Sequence, residues 1–122
     1  MTTWNLEGMH THLLICNGSS CMRKEGEEIT QAIRDEIAQL GLDEEIHTTR
    51  TRCNGRCKDA CVVIAYPQGN WYQVPTEEHA RALVQDLHHK QLSKHQVYHL
   101  MDGQLQRTPH TTAIKGIEKK KS

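Results

Sequence analysis

Five cysteines punctuate this chain of 122 residues, and four of them fall in two pairs. Cys16 and Cys21 enclose four residues in ICNGSSC; Cys53 and Cys57 enclose three in RTRCNGRCKDAC, a stretch that ends on a further thiol, Cys61. Thiolate is a soft ligand that suits zinc and iron–sulfur clusters. Four thiolates brought to one point can hold a [2Fe–2S] cluster, two per iron. Gly18 and Gly55 stand beside the cysteines. Glycines there let backbone amides approach the sulfurs, and such hydrogen bonds tune a reduction potential.

Other chemistries fit these spacings less well. A structural zinc site made of four thiolates usually separates paired ligands by two to four residues, which the two pairs permit. A thiol–disulfide oxidoreductase uses two cysteines separated by two residues at a helix N-terminus, and the chain has no such pair. Plant-type ferredoxins also begin with a four-residue gap but need C-x2-C directly after, where this chain reads Met22-Arg23-Lys24. Rieske-type centres replace two cysteines by histidines. There are nine histidines here, but the thiols already suffice. His12 and His47 read as ordinary strand residues, and His88-His89 as partners of a helix C-terminal dipole. No glycine-rich phosphate loop or paired-carboxylate site stands out, so neither a nucleotide site nor a hydrolase is expected.

Composition sets the frame for these loops. The length suits one compact domain. Apolar residues make up 36% of the chain and Phe is absent, so aliphatic side chains must build the core. Lys+Arg and Asp+Glu both number 15, a balance that gives no reason to expect nucleic acid. No apolar run approaches the roughly 20 residues of a membrane span. The opening MTTWNLEGMHTH lacks the basic and apolar regions of a secretory signal, so a cytoplasmic location is expected. Thiols stay reduced in that compartment, which favours metal ligation over disulfides. Arg50, Arg52, Arg56 and Lys58 surround the second pair, and Arg23 and Lys24 follow the first. These cations either favour the reduced form of an anionic cluster and guide an acidic redox partner, or serve only solubility.

The surrounding elements must bring the two loops together. His12–Ile15 reads as a buried strand ending at Cys16, with Asn17–Ser20 as a turn. A helix is expected from about Lys24 to Leu40, with Ile29, Ile33, Ile37 and Leu40 as its apolar stripe and Gly41 ending it. Glu45–Thr51 reads as a second strand running into Cys53. Val62–Tyr66 is a continuous apolar run, suited to a central strand. Pro67–Asn70 turns the chain, and Trp71–Val74 returns it as a hairpin. Thr76 caps a second helix with Ala80, Leu83, Val84 and Leu87 facing inward. The expected class is α/β: β-α-β then β-β-α around a mixed four-stranded sheet, the arrangement of a thioredoxin-like fold. Residues 1–10 are expected to be a flexible arm, 11–105 the domain and 106–122 a polar, basic tail. Val97, Tyr98, Leu100, Met101 and Leu105, around Asp102-Gly103, are expected either to pack on the domain or to make a dimer contact.

The chain resembles the thioredoxin-like [2Fe–2S] ferredoxin family, which includes the small cluster-bearing subunit of NADH dehydrogenases. The resemblance runs from about His12 to Leu92 and rests on C-NGSS-C, CNGRC and the hairpin VVIAYPQGNWYQV. It implies that Cys16, Cys21, Cys53 and Cys57 ligate a [2Fe–2S] cluster. It further implies a one-electron carrier rather than an enzyme, a homodimer, and a redox partner protein. Among relatives in kind is the ferredoxin-like protein of bacterial cobalamin biosynthesis. Family members usually have Gly-Pro or Ala-Pro where this chain has Ala60-Cys61. Cys61 is therefore either a packed strand-start residue or a substitute ligand, since it lies as far from Cys57 as Cys57 does from Cys53.

Overall fold

The structure, a computed structural model, describes residues 3–18, 26–56, 59–91, 93, 95–109, 111, 113 and 116. Among these, the order of elements is β1 (Thr11–Cys16), α1 (Gly26–Gln39), β2 (Ile46–Thr51), β3 (Val62–Tyr66), β4 (Asn70–Gln73), α2 (Glu77–His88), β5 (Gln96–Met101) and β6 (Gln104–Arg107). The strands form one sheet in the order β2-β1-β3-β4-β5-β6. Only β1 and β2 are parallel, joined by the crossover through α1; every other neighbouring pair is antiparallel.

Register decides which residues share a face, because side chains alternate along a strand and directly paired residues point the same way. Leu13 pairs with Ala65 and Ile15 with Val63, and all four are fully buried. Val63 pairs with Tyr72 on the same side. Helix α1 is fastened to β2 by polar contacts: the guanidinium of Arg34 donates to Thr48 Oγ1, and Arg50 pairs with Glu27. Ile29, Ile33 and Ile37 of α1 and Ala80, Leu83 and Val84 of α2 close the core. Each fully buried large aliphatic side chain contributes about 1.5–3 kcal/mol, so this interface fixes the helices firmly. Gln85 Nε2 donates to Glu36 Oε2 at 2.5 Å and ties the two helices to each other.

The helix ends follow from local chemistry. Gly41, at φ +70, lets the Leu42 N–H reach the Ile37 carbonyl at 2.9 Å and the Gly41 N–H reach Ala38 at 3.1 Å. This six-to-one bond with its five-to-two partner stops α1 and buries Leu42 beside Ile37. Thr76 caps α2, its hydroxyl accepting from the His79 N–H at 3.1 Å.

The sheet is larger than the four strands expected from the sequence. Asp102 and Gly103 both adopt positive φ, at 53° and 78°. That geometry makes a two-residue hairpin turn, and it pairs Met101 with Gln104 and Tyr98 with Arg107. The β5–β6 hairpin then extends the sheet beyond β4. Of the five apolar residues around this turn, Val97 is buried and Tyr98 half-buried, whereas Leu100, Met101 and Leu105 stay exposed. Strand β6 starts at Gln104, so it straddles the expected domain edge at residue 105. Beyond it, the Thr108 N–H donates to the Val97 carbonyl, and Arg107 donates to the carbonyl of buried Ala113. The peptides Ala60–Cys61 and Tyr66–Pro67 are cis.

Candidate metal centre

The two cysteine loops meet at one edge of the sheet. Parallel pairing puts Cys16 opposite Thr51 at the C-terminal ends of β1 and β2. The ladder continues one step, because the Asn17 N–H donates to the Thr51 carbonyl at 2.8 Å. Cys53 follows two residues later. Gly18 then passes so close to Cys53 that a β-carbon on it would sit 2.9 Å from both the Cys53 Cα and N. Only a residue without a side chain fits there. The Cys16 thiol donates to the Arg52 carbonyl at 3.4 Å, which again joins the two segments.

Cys16 is 3% exposed, whereas Cys53 faces solvent. The Gly55 N–H donates to Cys53 Sγ at 3.3 Å. A turn with Gly55 at φ +86 aims that amide, and Asn54 braces it by donating to Thr51 Oγ1 at 2.8 Å. An amide directed at sulfur stabilises negative charge on that sulfur. Cys21 and Cys57 lie outside the described residues, as do Arg23, Lys24 and Lys58.

Cys61 is in a different setting. Its N–H and carbonyl pair with Val74 at 3.3 and 2.7 Å, extending the β3–β4 ladder by one residue. It is fully buried, and by alternation it shares the core side with Val63 and Ala65.

The cations divide by environment. Arg52 is exposed. Arg50 pairs with Glu27 at 2.7 Å, both about half exposed, a contact worth little by itself. Arg56 points inward instead: its side chain is 13% exposed, and it donates to Asp59 Oδ2 at 2.7 Å, whose side chain is 3% exposed. The Arg56 guanidinium also lies over the Tyr98 ring, 5.1 Å from its centroid. In the sequence Arg56 stands among the basic residues around the site with no signal for this partner, because Tyr98 lies far along the chain.

The histidines His12 and His47 lie apart from this edge. They pack together with centroids 5.0 Å apart, near the start of β1, and His12 Nε2 bonds Thr49 Oγ1 at 2.7 Å. Burial, with the neighbouring His47 adding to it, lowers the His12 pKa. Among the described residues no group of three or more His, Cys, Asp or Glu is arranged to hold a metal ion.

Residues 3–88 match the model of the thioredoxin-like [2Fe-2S] ferredoxin family. The chain belongs to that family. It is 64% identical over 86 residues to a protein of Priestia megaterium named "Putative 2Fe-2S ferredoxin", covering 70% of this chain and 67% of that one. It is 28% identical over 82 residues to "Ferredoxin, 2Fe-2S" of Clostridium pasteurianum, covering 61% and 80%. Its fold matches the crystal structure of the wild-type thioredoxin-like [2Fe-2S] ferredoxin of Aquifex aeolicus. There the TM-score is 0.65 and the identity 22%, over 73% of this chain and 97% of that one. Family membership makes this a ferredoxin-type chain with a [2Fe–2S] cluster as its cofactor. It also favours the cluster over zinc as this chain's metal group. The edge built by Gly18, Cys16 and Cys53 fits such a group: soft donors, a close loop-to-loop approach, and an amide directed at sulfur. Ferredoxins of this family pass electrons to partner proteins. Among the described residues no helix is long and apolar enough to cross a membrane.

Proposed function

We propose that Cys16, Cys21, Cys53 and Cys57 ligate the [2Fe–2S] cluster of a cytoplasmic one-electron carrier that is not itself an enzyme. The observation that carries this reading is the contact of Gly18 with the Cys53 backbone, which joins two segments separated by more than thirty residues. Bound there, the cluster supplies a one-electron couple between ferric and ferrous iron. The chain holds it, excludes water on the Cys16 side, and directs the Gly55 amide at sulfur. Exposed Cys53 and Arg52 form the face offered to a partner, and the charge of Arg52 suits an acidic docking surface. Cys61 is a packing residue; its burial on the core side and its ladder with Val74 support that role. The acceptor is a partner oxidoreductase or a biosynthetic enzyme, with cobalamin biosynthesis the pathway suggested by resemblance. A homodimer is part of the same proposal, supported by the exposed Leu100, Met101 and Leu105 at the β5–β6 turn.

The test is iron content and visible and EPR spectra of anaerobically purified variants. Cys16→Ser, Cys21→Ser, Cys53→Ser and Cys57→Ser each lose iron or bleach, because oxygen is a poorer ligand for this centre than thiolate. Cys61→Ser keeps the wild-type spectrum. Full iron and absorbance in any of the first four, or a changed spectrum in the last, overturns the ligand set.

A further inference from the structure

We propose that Tyr98 is a positioning residue for the second cysteine loop and acts on it through Arg56. The proposal rests on Cys53 and Cys57 being ligands, since Arg56 lies between them in sequence. Tyr98 belongs to β5, which lies beyond the family match at residues 3–88. The hairpin that carries it lies outside the matched residues, placed where Tyr98 meets Arg56.

Arg56 is enclosed on three sides. Its Nε donates to the buried Asp59 carboxylate at 2.7 Å, and the Asp59 N–H donates back to the Arg56 carbonyl at 2.9 Å. The Tyr98 ring lies against its guanidinium. Gly116 lies alongside as well, where a β-carbon would come within 2.8 Å of Arg56 Nη1. Tyr98 is itself held, edge-on to Trp71 with centroids 6.1 Å apart and an interplanar angle of 79°. Its ladder partner Arg107 donates to the Ala113 carbonyl and so holds the returning chain beside it.

The loop needs such a hold. Cys53 stands exposed beyond the end of β2, which among the described residues is an edge strand paired to β1 alone. A planar guanidinium between a carboxylate and an aromatic face fixes direction as well as position, which an ammonium does not. Holding Arg56 in one rotamer restricts the backbone on either side of it. Tyr98 thereby limits how far the loop opens, acting through the Arg56 side chain.

The experiment compares wild type with Tyr98→Leu, Tyr98→Phe, Arg56→Lys, Arg56→Gln and the double variant that combines Tyr98→Leu with Arg56→Gln. It measures the rate of bleaching by an iron chelator, the EPR spectrum, and amide hydrogen exchange at Asn54 and Gly55 in the cluster-free chain. Tyr98→Leu bleaches about fivefold faster and exchanges faster at both amides, and Tyr98→Phe behaves as wild type. The double variant bleaches no faster than Arg56→Gln alone, because both act through one contact. Wild-type bleaching and exchange in Tyr98→Leu, or effects that multiply in the double variant, overturn the proposal. If Tyr98→Leu does not fold, Arg56→Lys decides: it keeps the charge beside Asp59 and loses the planar stack, so wild-type exchange at Asn54 and Gly55 sinks the idea. A failure of the ligand set shows instead as retained iron in Cys53→Ser or Cys57→Ser, which leaves the exchange measurement intact.

Discussion

Gly18→Ala is the sharpest probe of the convergence on which the centre depends. The added methyl would lie 2.9 Å from the Cys53 Cα and N and 3.0 Å from its Cβ, whereas ordinary contact begins at 3.4 Å. One loop must therefore yield by about 0.5 Å, and backbone atoms on both sides leave no flexible side-chain tip to absorb the shift. Overpacking of this kind costs about 1–3 kcal/mol. In a domain of this size that lowers Tm by about 4–12 °C in the cluster-free chain. The effect on the metal centre is larger, because ligand distances tolerate only about 0.2 Å. Gly41→Ala is the matched control: it too costs stability, through its φ of +70, but nothing lies within 4 Å of its added methyl and it stands at the end of α1. Iron per chain and visible absorbance after anaerobic reconstitution are the assay, with thermal melting alongside. Gly18→Ala loses cluster and Tm together, whereas Gly41→Ala loses Tm alone. A Gly18→Ala protein with full iron, a wild-type spectrum and an unchanged melt would refute the claim that the loops are in contact.

Three further outcomes follow from the same structure. The His12 pKa is lowered by burial, so between its folded value and 6.5 the unfolded chain holds a proton that the native chain does not. Stability therefore falls as pH drops through that window, by less than about 1.4 kcal/mol per pH unit, and His12→Gln flattens this part of a plot of urea midpoint against pH. Gly69→Ala adds left-handed strain at φ +76 and sets its methyl only 2.9 Å from Leu100 Cβ, for a cost of about 2–3 kcal/mol. Its Tm drops while the visible spectrum stays intact, because the β3–β4 turn lies at the opposite end of β1 from the cysteines. Arg52→Gln slows electron transfer to an acidic redox partner at low salt by about threefold and has little effect at about 0.5 M salt, since exposed charges act mainly through screened long-range attraction; stopped-flow oxidation of the reduced protein reads this directly.

Much of the fold was legible because its signals are local. Ile29, Ile33 and Ile37 recur at helical spacing, Gly41 ends the stripe, and Val62–Ala65 is a run that only a doubly covered strand accommodates. Each feature acts within a few residues, so sequence alone places it to within a residue or two. The sheet's true width was harder to read. The Asp102-Gly103 pair carried the hairpin signal, yet β6 is QLQR and exposed throughout. A strand that buries nothing shows no hydrophobic alternation, and here the ladder to β5 holds it rather than a core.

The site divides along the same line. The cysteine spacing, the two glycines and the strands that end at Cys16 and Thr51 could all be read, since a parallel β-α-β unit brings the C-terminal ends of its strands to one edge. What could not be read was which charges serve that edge. Arg50, Arg52 and Arg56 look equivalent in sequence, yet one is half exposed beside Glu27, one is open, and one is largely buried against Asp59 and Tyr98. An exposed charge can steer a partner but is screened by water and salt, whereas a buried pair keeps its strength and fixes geometry. The difference depends on a ring that arrives from the far end of the chain, and no window around CNGRC contains it. A cation near a cluster ligand therefore has no assignable role until its own partner is located in space.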